Sequence, residues 1–224
     1  MRPDFRALSV VVNGVSNASS HPEAANRLEI ACQMPCAEPW AESHLAAWRD
    51  AYKAFGAKAQ RTPCSAEALL KRVRRDRALA NTNAVVDIYN AVSLRFAIPV
   101  GGENAEAYVG MPHLVRAAGT ERFDTMQSGM AITEMPEKGE VVWRDDVGVT
   151  CRRWNWRQGT RTRIEHDTTQ MWFVLEALAP MPNDALTAAG RELIGGIKLL
   201  SPTSTVIVCQ LAGDSVEDLT QTLG

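Results

Sequence analysis

The chain has 224 residues and a net charge of −2, with 46% hydrophobic and 22% charged residues. That is the composition of an ordinary globular protein, and it offers no global electrostatic pull toward nucleic acid, so any such role rests on local patches. No stretch approaches the ~18 apolar residues of a membrane span, and the apolar run in MRPDFRALSVVV is too short for a signal peptide.

Ala7–Val12 reads as a strand from its β-branched content, stopped by Asn13-Gly14. Residues 16 to 37, rich in Ser, Asn, Pro and Ala, read as a loop or short helix. Within them Cys32 and Cys36 have a C-x3-C spacing with no second pair behind it, which suits two loop thiols better than a zinc site. With Cys64, Cys151 and Cys209 the cysteines number five, odd and scattered; reduced thiols and a cytoplasmic location are expected, with no metal and no cofactor. From Glu38 to Phe55 the apolar positions Ala41, Leu45, Trp48, Tyr52 and Phe55 trace one face of an amphipathic helix, with Gly56 as its stop. Ser65 opens a second helix, SAEALLKRVRR, with Leu69, Leu70 and Val73 inward and a basic face outward. Residues 84 to 97 have helical spacing despite their β-branched content.

The second half changes character. Val141–Trp143, Val147–Cys151, Met171–Leu175 and Thr205–Cys209 are short apolar runs between turn signals and read as strands, with VVWRDDVGVTC as a hairpin. DTTQ at 167–170 fits a capping box, but the five contiguous apolar residues after it favour a strand. Asn183 is placed to cap a last helix, DALTAAGRELIGGIKLL. The class is α+β: one domain over 1–224, with N-terminal helices and a mixed or antiparallel sheet.

Phosphate-binding loops, H-E-x-x-H, G-x-S-x-G and G-x-G-x-x-G are all missing from the sequence, and the four histidines are far apart in it. Two dense polar blocks remain. NTNAVVDIYNAVSLRFAIPVGGEN, followed by GEVVWRDDVGVTCRRWNWRQGTRTRIEHDTT, resembles the B3/B4 domain of the phenylalanyl-tRNA synthetase beta subunit, and most of all the free-standing bacterial proteins built from it. The resemblance covers residues 65–200, with 1–64 as a strand and helix packed on that core. In the synthetase this domain removes tyrosine wrongly attached to the phenylalanine tRNA. The resemblance thus implies a pocket for an aminoacyl ester and contact with the CCA acceptor end of a tRNA.

The synthetase motif runs Asn-Asn-Val-Val-Asp-Val-Thr-Asn, then a proline, then a histidine two residues on. Val85, Val86, Asp87, Asn90 and Pro99 match it, while Tyr89 replaces the pocket threonine and Gly101 the histidine. The turn carrying the synthetase's tyrosine-sensing glutamate is here WNWRQG, with no glutamate assignable to that role. An activated ester needs no protein nucleophile: a held water and donors to the developing oxyanion supply several kcal/mol. Asn90 and the backbone N–H groups around Gly101 and Gly102 are the candidate donors. Asp87, Tyr89, Pro99, Glu103, Trp154, Asn155 and Trp156 are the candidate pocket residues, and either carboxylate is placed to orient water or to serve as a cap or ion-pair partner. The block 151–163 interleaves aromatics with Arg152, Arg153, Arg157, Arg161 and Arg163. Unpaired bases stack on such groups at ~1–3 kcal/mol each. On a strand, Trp154 and Trp156 would share one face and Arg153, Asn155 and Arg157 the other; the tryptophans suit stacking and core filling equally. Three functions stay open: a trans-editing deacylase, a tRNA- or RNA-binding module without chemistry, and a small-molecule binder reusing the pocket.

Overall fold

The computed structural model describes residues 2–213 and 215–224. Strand β1 (Arg6–Asn13) alternates, with Leu8, Val10 and Val12 on one face and Ala7, Ser9 and Val11 on the other. It pairs antiparallel with both β9 (Gln170–Ala177) and β10 (Thr205–Ala212). Beyond β9 lies β2 (Val100–Asn104), and beyond β10 lies β11 (Ser215–Asp218), which gives a five-stranded sheet with β1 at its centre.

Helices α4 (Ala84–Phe96) and α5 (Asn183–Leu200) cover the Leu8 face, and α1 (Pro22–Gln33) packs on α4. Helices α4 and α5 touch closely because Gly196 of α5 carries no side chain: a Cβ there would stand 2.6 Å from Ile88 Cγ2 of α4. Helices α2 (Ala41–Ala54) and α3 (Ser65–Asp76) join α1 and α4 in a second cluster around Trp48, Tyr52, Leu70 and Val73. His44 belongs to this core. Its Nδ1 donates to the Ala97 carbonyl at 3.0 Å, while Nε2 accepts from Trp48 Nε1 and the Leu178 N–H. Burial pushes its pKa down to about 4, so the ring is neutral.

The other face of the large sheet carries a smaller antiparallel one, ordered β3 (His113–Arg116), β6 (Val141–Arg144), β7 (Val149–Arg152), β8 (Arg157–Gln158). A hairpin of β4 (Phe123–Gln127) and β5 (Met130–Glu134) leans on β7. Trp143 and Trp172 meet edge-on at 5.3 Å between the two sheets. A short α6 (Thr220–Leu223) ends the chain.

The fold is α+β, with six helices and eleven strands among the described residues. The VVWRDDVGVTC hairpin forms as β6 and β7, and the run after DTTQ is β9. Residues 16 to 37 contain α1, started by Pro22 at its first position. Asn183 is the first helical residue of α5 rather than its cap, and its side chain accepts from Arg6 and Gln210. Among the described residues no helix is long and apolar enough to cross a membrane.

Candidate functional site

Strand β2 is the edge of the large sheet, and a cavity of about 270 Å³ opens along it. One wall is the face of α3 formed by Ser65, Ala68, Leu69 and Arg72, spaced i, i+3, i+4 and i+7. Tyr89 and Asn90 of α4 add the adjoining corner. Gly101, Gly102 and Glu103 form the edge, with Val174 and Glu176 of β9 behind them. Trp143, Cys151, the turn residues Trp154, Asn155 and Trp156, and Gln158 of β8 close the far side.

The β2 edge has a definite polarity. Gly102 carbonyl accepts from Gln158 Nε2 at 3.0 Å and Asn104 N–H donates to Thr162 carbonyl, so even-numbered residues turn their backbone away from β9. Antiparallel alternation then leaves the Gly102 N–H on the open edge and directs that of Gly101 into the ladder with Val174. Gly101 is therefore not a free donor. Gly102 must lack a side chain, because a Cβ would lie 2.9 Å from Tyr89 Cε1 and 3.0 Å from Phe173 Cε1.

Two buried carboxylates line the cavity. Glu176 is 1% exposed and accepts from Trp143 Nε1 (3.0 Å), Trp154 Nε1 (3.0 Å) and Asn155 Nδ2 (2.8 Å). Asn155 in turn accepts from Tyr52 hydroxyl at 2.8 Å. Glu103 is 3% exposed and accepts from Tyr108 hydroxyl at 2.6 Å. Burial pushes each carboxyl up to about 7. Raised carboxyls hold more protons folded than unfolded, so stability falls as pH rises through the window from about 4.5 to 7. His44, lowered to about 4, acts the other way only below its unfolded value near 6.5. The unfolding free energy is therefore expected to decline from pH 6 to pH 8, with a smaller decline in Glu176→Gln. Urea titrations at the two pH values measure this, and a rise in stability over that range would contradict it.

The turn 153–156 departs from the expected strand. Arg153 (φ 48°) and Trp154 (φ 66°) are both left-handed, which ends the alternation that would have put the two tryptophans on one face. The turn is held from within, as Glu140 Oε1 accepts the Arg153 N–H at 3.0 Å. Trp154 is 2% exposed and packs edge-on against Phe5 and Trp48. Trp156 is half-buried beneath the guanidiniums of Arg153 and Arg157, at 4.5 and 5.1 Å.

A family model described as the B3/4 domain matches residues 47–188. The chain belongs to the B3/4 domain family. Among solved structures, an N-terminal fragment of the phenylalanyl-tRNA synthetase beta subunit from Pyrococcus horikoshii is similar at 11% identity, with a TM-score of 0.46. That match covers 60% of this chain and 44% of the fragment, under half of its length. No curated protein matches the chain.

Within this B3/4 domain, eight expected residues converge on the cavity: Tyr89, Asn90, Gly101, Gly102, Glu103, Trp154, Asn155 and Trp156. Two expected pocket residues do not. Asp87 is 1% exposed and accepts from Asn81 Nδ2 and the Thr82 N–H, tying down the loop before α4. Pro99 is buried, and its carbonyl accepts from the Glu176 N–H in the ladder. The arginines also need correction. Arg152 is 7% exposed, with Nε and Nη2 on Glu140 (3.0 and 2.8 Å) and Nη1 on Glu134 (2.7 Å). Arg161 is committed to Asp145 at 2.7 Å and to Ala107 carbonyl. Arg157 pairs with Glu134 at 2.8 Å. Arg153 lies 3.7 Å from Glu140 and lines a separate polar cavity with Lys58 and Arg61. Arg163 is exposed and makes no ion pair among the described residues.

Sequence reasoning missed Glu176, Trp143 and Arg72. The signal for Glu176 was present, a single charge in the otherwise apolar run MWFVLEAL. Arg72 belongs to the outward basic face of α3, yet its neighbours Lys71 and Arg75 pair with Glu67 and Asp76, while Arg72 stands at the cavity mouth without an ion pair among the described residues.

Proposed function

We propose that this chain binds the acceptor end of a tRNA and hydrolyses the ester of a mischarged aminoacyl group in the cavity along β2. The observation that carries this reading is the convergence of the Asn90 amide and the open Gly102 N–H on one small cavity with buried carboxylates behind it. Its volume of about 270 Å³ lies below the drug-sized range and suits an amino-acid side chain. Water adds to the ester carbonyl, the Asn90 and Gly102 N–H groups stabilise the oxyanion, and the C–O bond to the ribose breaks as that oxygen takes up the proton. Tyr89, standing over Gly102, fills volume that a large aromatic acyl group would need, so a small or aliphatic group is the expected substrate. The cations for the tRNA backbone are Arg72 at the mouth, Arg163, and the group of Lys58, Arg61 and Arg153.

A second reading, tRNA binding without chemistry, is favoured by one observation: Asp87 faces the 81–82 loop and offers no base beside Asn90. Single-turnover deacylation over a panel of mischarged tRNAs, with binding measured separately, decides between them. Asn90→Ala is expected to slow turnover about 100-fold with affinity near wild type, as for loss of an oxyanion donor. Arg72→Ala is expected to weaken all tRNAs alike and reduce the salt slope by about one. Binding without turnover establishes the second reading, and no binding at low salt removes both.

A further inference from the structure

The two buried carboxylates of the cavity differ in what they already hold. A carboxylate offers about four acceptor positions. Glu176 fills three of them with Trp143, Trp154 and Asn155, and is thereby fixed as part of the wall. Glu103 is as deeply buried, yet among the described residues it accepts one hydrogen bond, from Tyr108 to Oε2, and Oε1 accepts none. The hydroxyls of Thr150 and Thr162 lie beside it and help to hold its charge, but neither donates to it within hydrogen-bond geometry; the one Tyr108 proton goes to Glu103, so Thr150, 3.2 Å from the Tyr108 oxygen, donates there instead. Arg161, the nearest cation, is bonded to Asp145 and Ala107. A buried carboxylate with an open oxygen toward a cavity is incomplete without a donor.

The surroundings narrow the donor. Tyr89, Trp143, Trp154 and Trp156 line the same cavity, and aromatic walls with carboxylates form an environment that favours a cation. Burial raises the proton affinity of both carboxyls, and for Glu103 the neighbouring hydroxyls and Arg161 offset that only in part. An arginine or a metal ion is a poor fit: the cavity is small, and no group of three metal-ligating side chains occurs among the described residues. A primary ammonium is compact and carries three donors.

We propose that Glu103 is the acceptor for a primary ammonium on the bound ligand, making the cavity selective for amine-bearing acyl groups. This rests on the reading of the cavity as an aminoacyl site. The ammonium is either the α-amino group of the acyl moiety or an amine on its side chain. Glu103 then anchors the acyl group at the end of β2 and Gly102 meets the ester one residue away, so the same strand fixes both amine and carbonyl.

Tryptophan fluorescence titration tests this without tRNA or turnover, since three tryptophans line the cavity. One pair of probes is leucinamide against N-acetyl-leucinamide; the other is Nα-acetyl-lysinamide against Nα-acetyl-norleucinamide. Wild type is expected to prefer the amine by about tenfold or more in one pair, which identifies the source of the ammonium. Glu103→Gln is expected to bring that ratio to about one. Tyr108→Phe, which removes the competing donor and leaves Glu103 in place, is expected to keep it, as is Glu176→Gln. The proposal is overturned if Glu103→Gln keeps the preference while folded by circular dichroism, or if wild type prefers the amine in neither pair. Deacylation of aminoacyl-tRNA alongside either result would leave the proposed function standing. Amine selectivity without deacylation would leave Glu103 assigned and the hydrolytic reading rejected.

Discussion

Replacing Glu176 with alanine is expected to lower the unfolding free energy by about 3 kcal/mol or more, and the melting temperature by about 6–12 °C. The variant removes one carboxylate and orphans three donors, the indole N–H groups of Trp143 and Trp154 and the Asn155 amide. Each buried donor left without an acceptor costs about 1–3 kcal/mol. Part of that loss is offset, because the charged carboxylate is itself penalised by burial, as its raised pKa of about 7 shows. Trp143 sits between the two sheets and Trp154 in the cluster with Trp48, so both packing interfaces loosen together. Glu176→Gln keeps an oxygen for the indoles and should lose much less. Chemical denaturation of both variants at pH 7 gives the comparison. An alanine variant within 1 kcal/mol of wild type would mean that water replaces the carboxylate and the network is not structural.

Arg152→Ala is expected to destabilise the protein by about 3–5 kcal/mol, the range for breaking a buried ion pair by removing one partner. The guanidinium grips Glu140 with two nitrogens and Glu134 with a third, and Glu140 is 3% exposed. Without Arg152, Glu140 keeps the Arg153 N–H at 3.0 Å, the Glu137 N–H at 3.5 Å and the Arg153 side chain at 3.7 Å. The turn that presents Trp154, Asn155 and Trp156 to the cavity loses its anchor at the same time. The double variant Glu140→Gln/Arg152→Met should recover much of the stability, since it buries no unpaired charge. Thermal melts of the single and double variants test this. If Arg152→Ala melts like wild type and loses tRNA affinity instead, Arg152 is a surface contact and the buried triad is wrong.

The sequence was a good guide to elements whose signal is local. The apolar spacing of Leu45, Trp48 and Tyr52 predicts α2, and contiguous apolar residues after DTTQ predict β9 over a helix. Strand β2 was not legible: VGGEN has two glycines and one buried apolar residue, and it becomes a strand only because β9 supplies a partner ladder. The candidate site was legible in its membership, through Tyr89, Asn90, Gly102, Glu103 and the WNW turn, and misread in its geometry. Two successive left-handed residues, Arg153 and Trp154, are not signalled by residue types that favour β structure.

What the sequence alone determined is the α+β class, the principal helices, the family, and most residues that line the cavity. What only the tertiary structure decided is the state of each charge. Arg152 and Arg72 are the same side chain in basic stretches of similar appearance, yet one is buried between Glu134 and Glu140 and the other stands at the cavity mouth. Glu103 and Glu176, 73 positions apart in the chain, face one cavity because β2 and β9 are neighbours in the sheet. Periodicity reports which face of an element is apolar, a property of adjacent residues. Whether a charged group meets water, a counter-ion or a ligand depends on the dielectric and the partners that distant segments bring to it, and those exist only once the chain has packed.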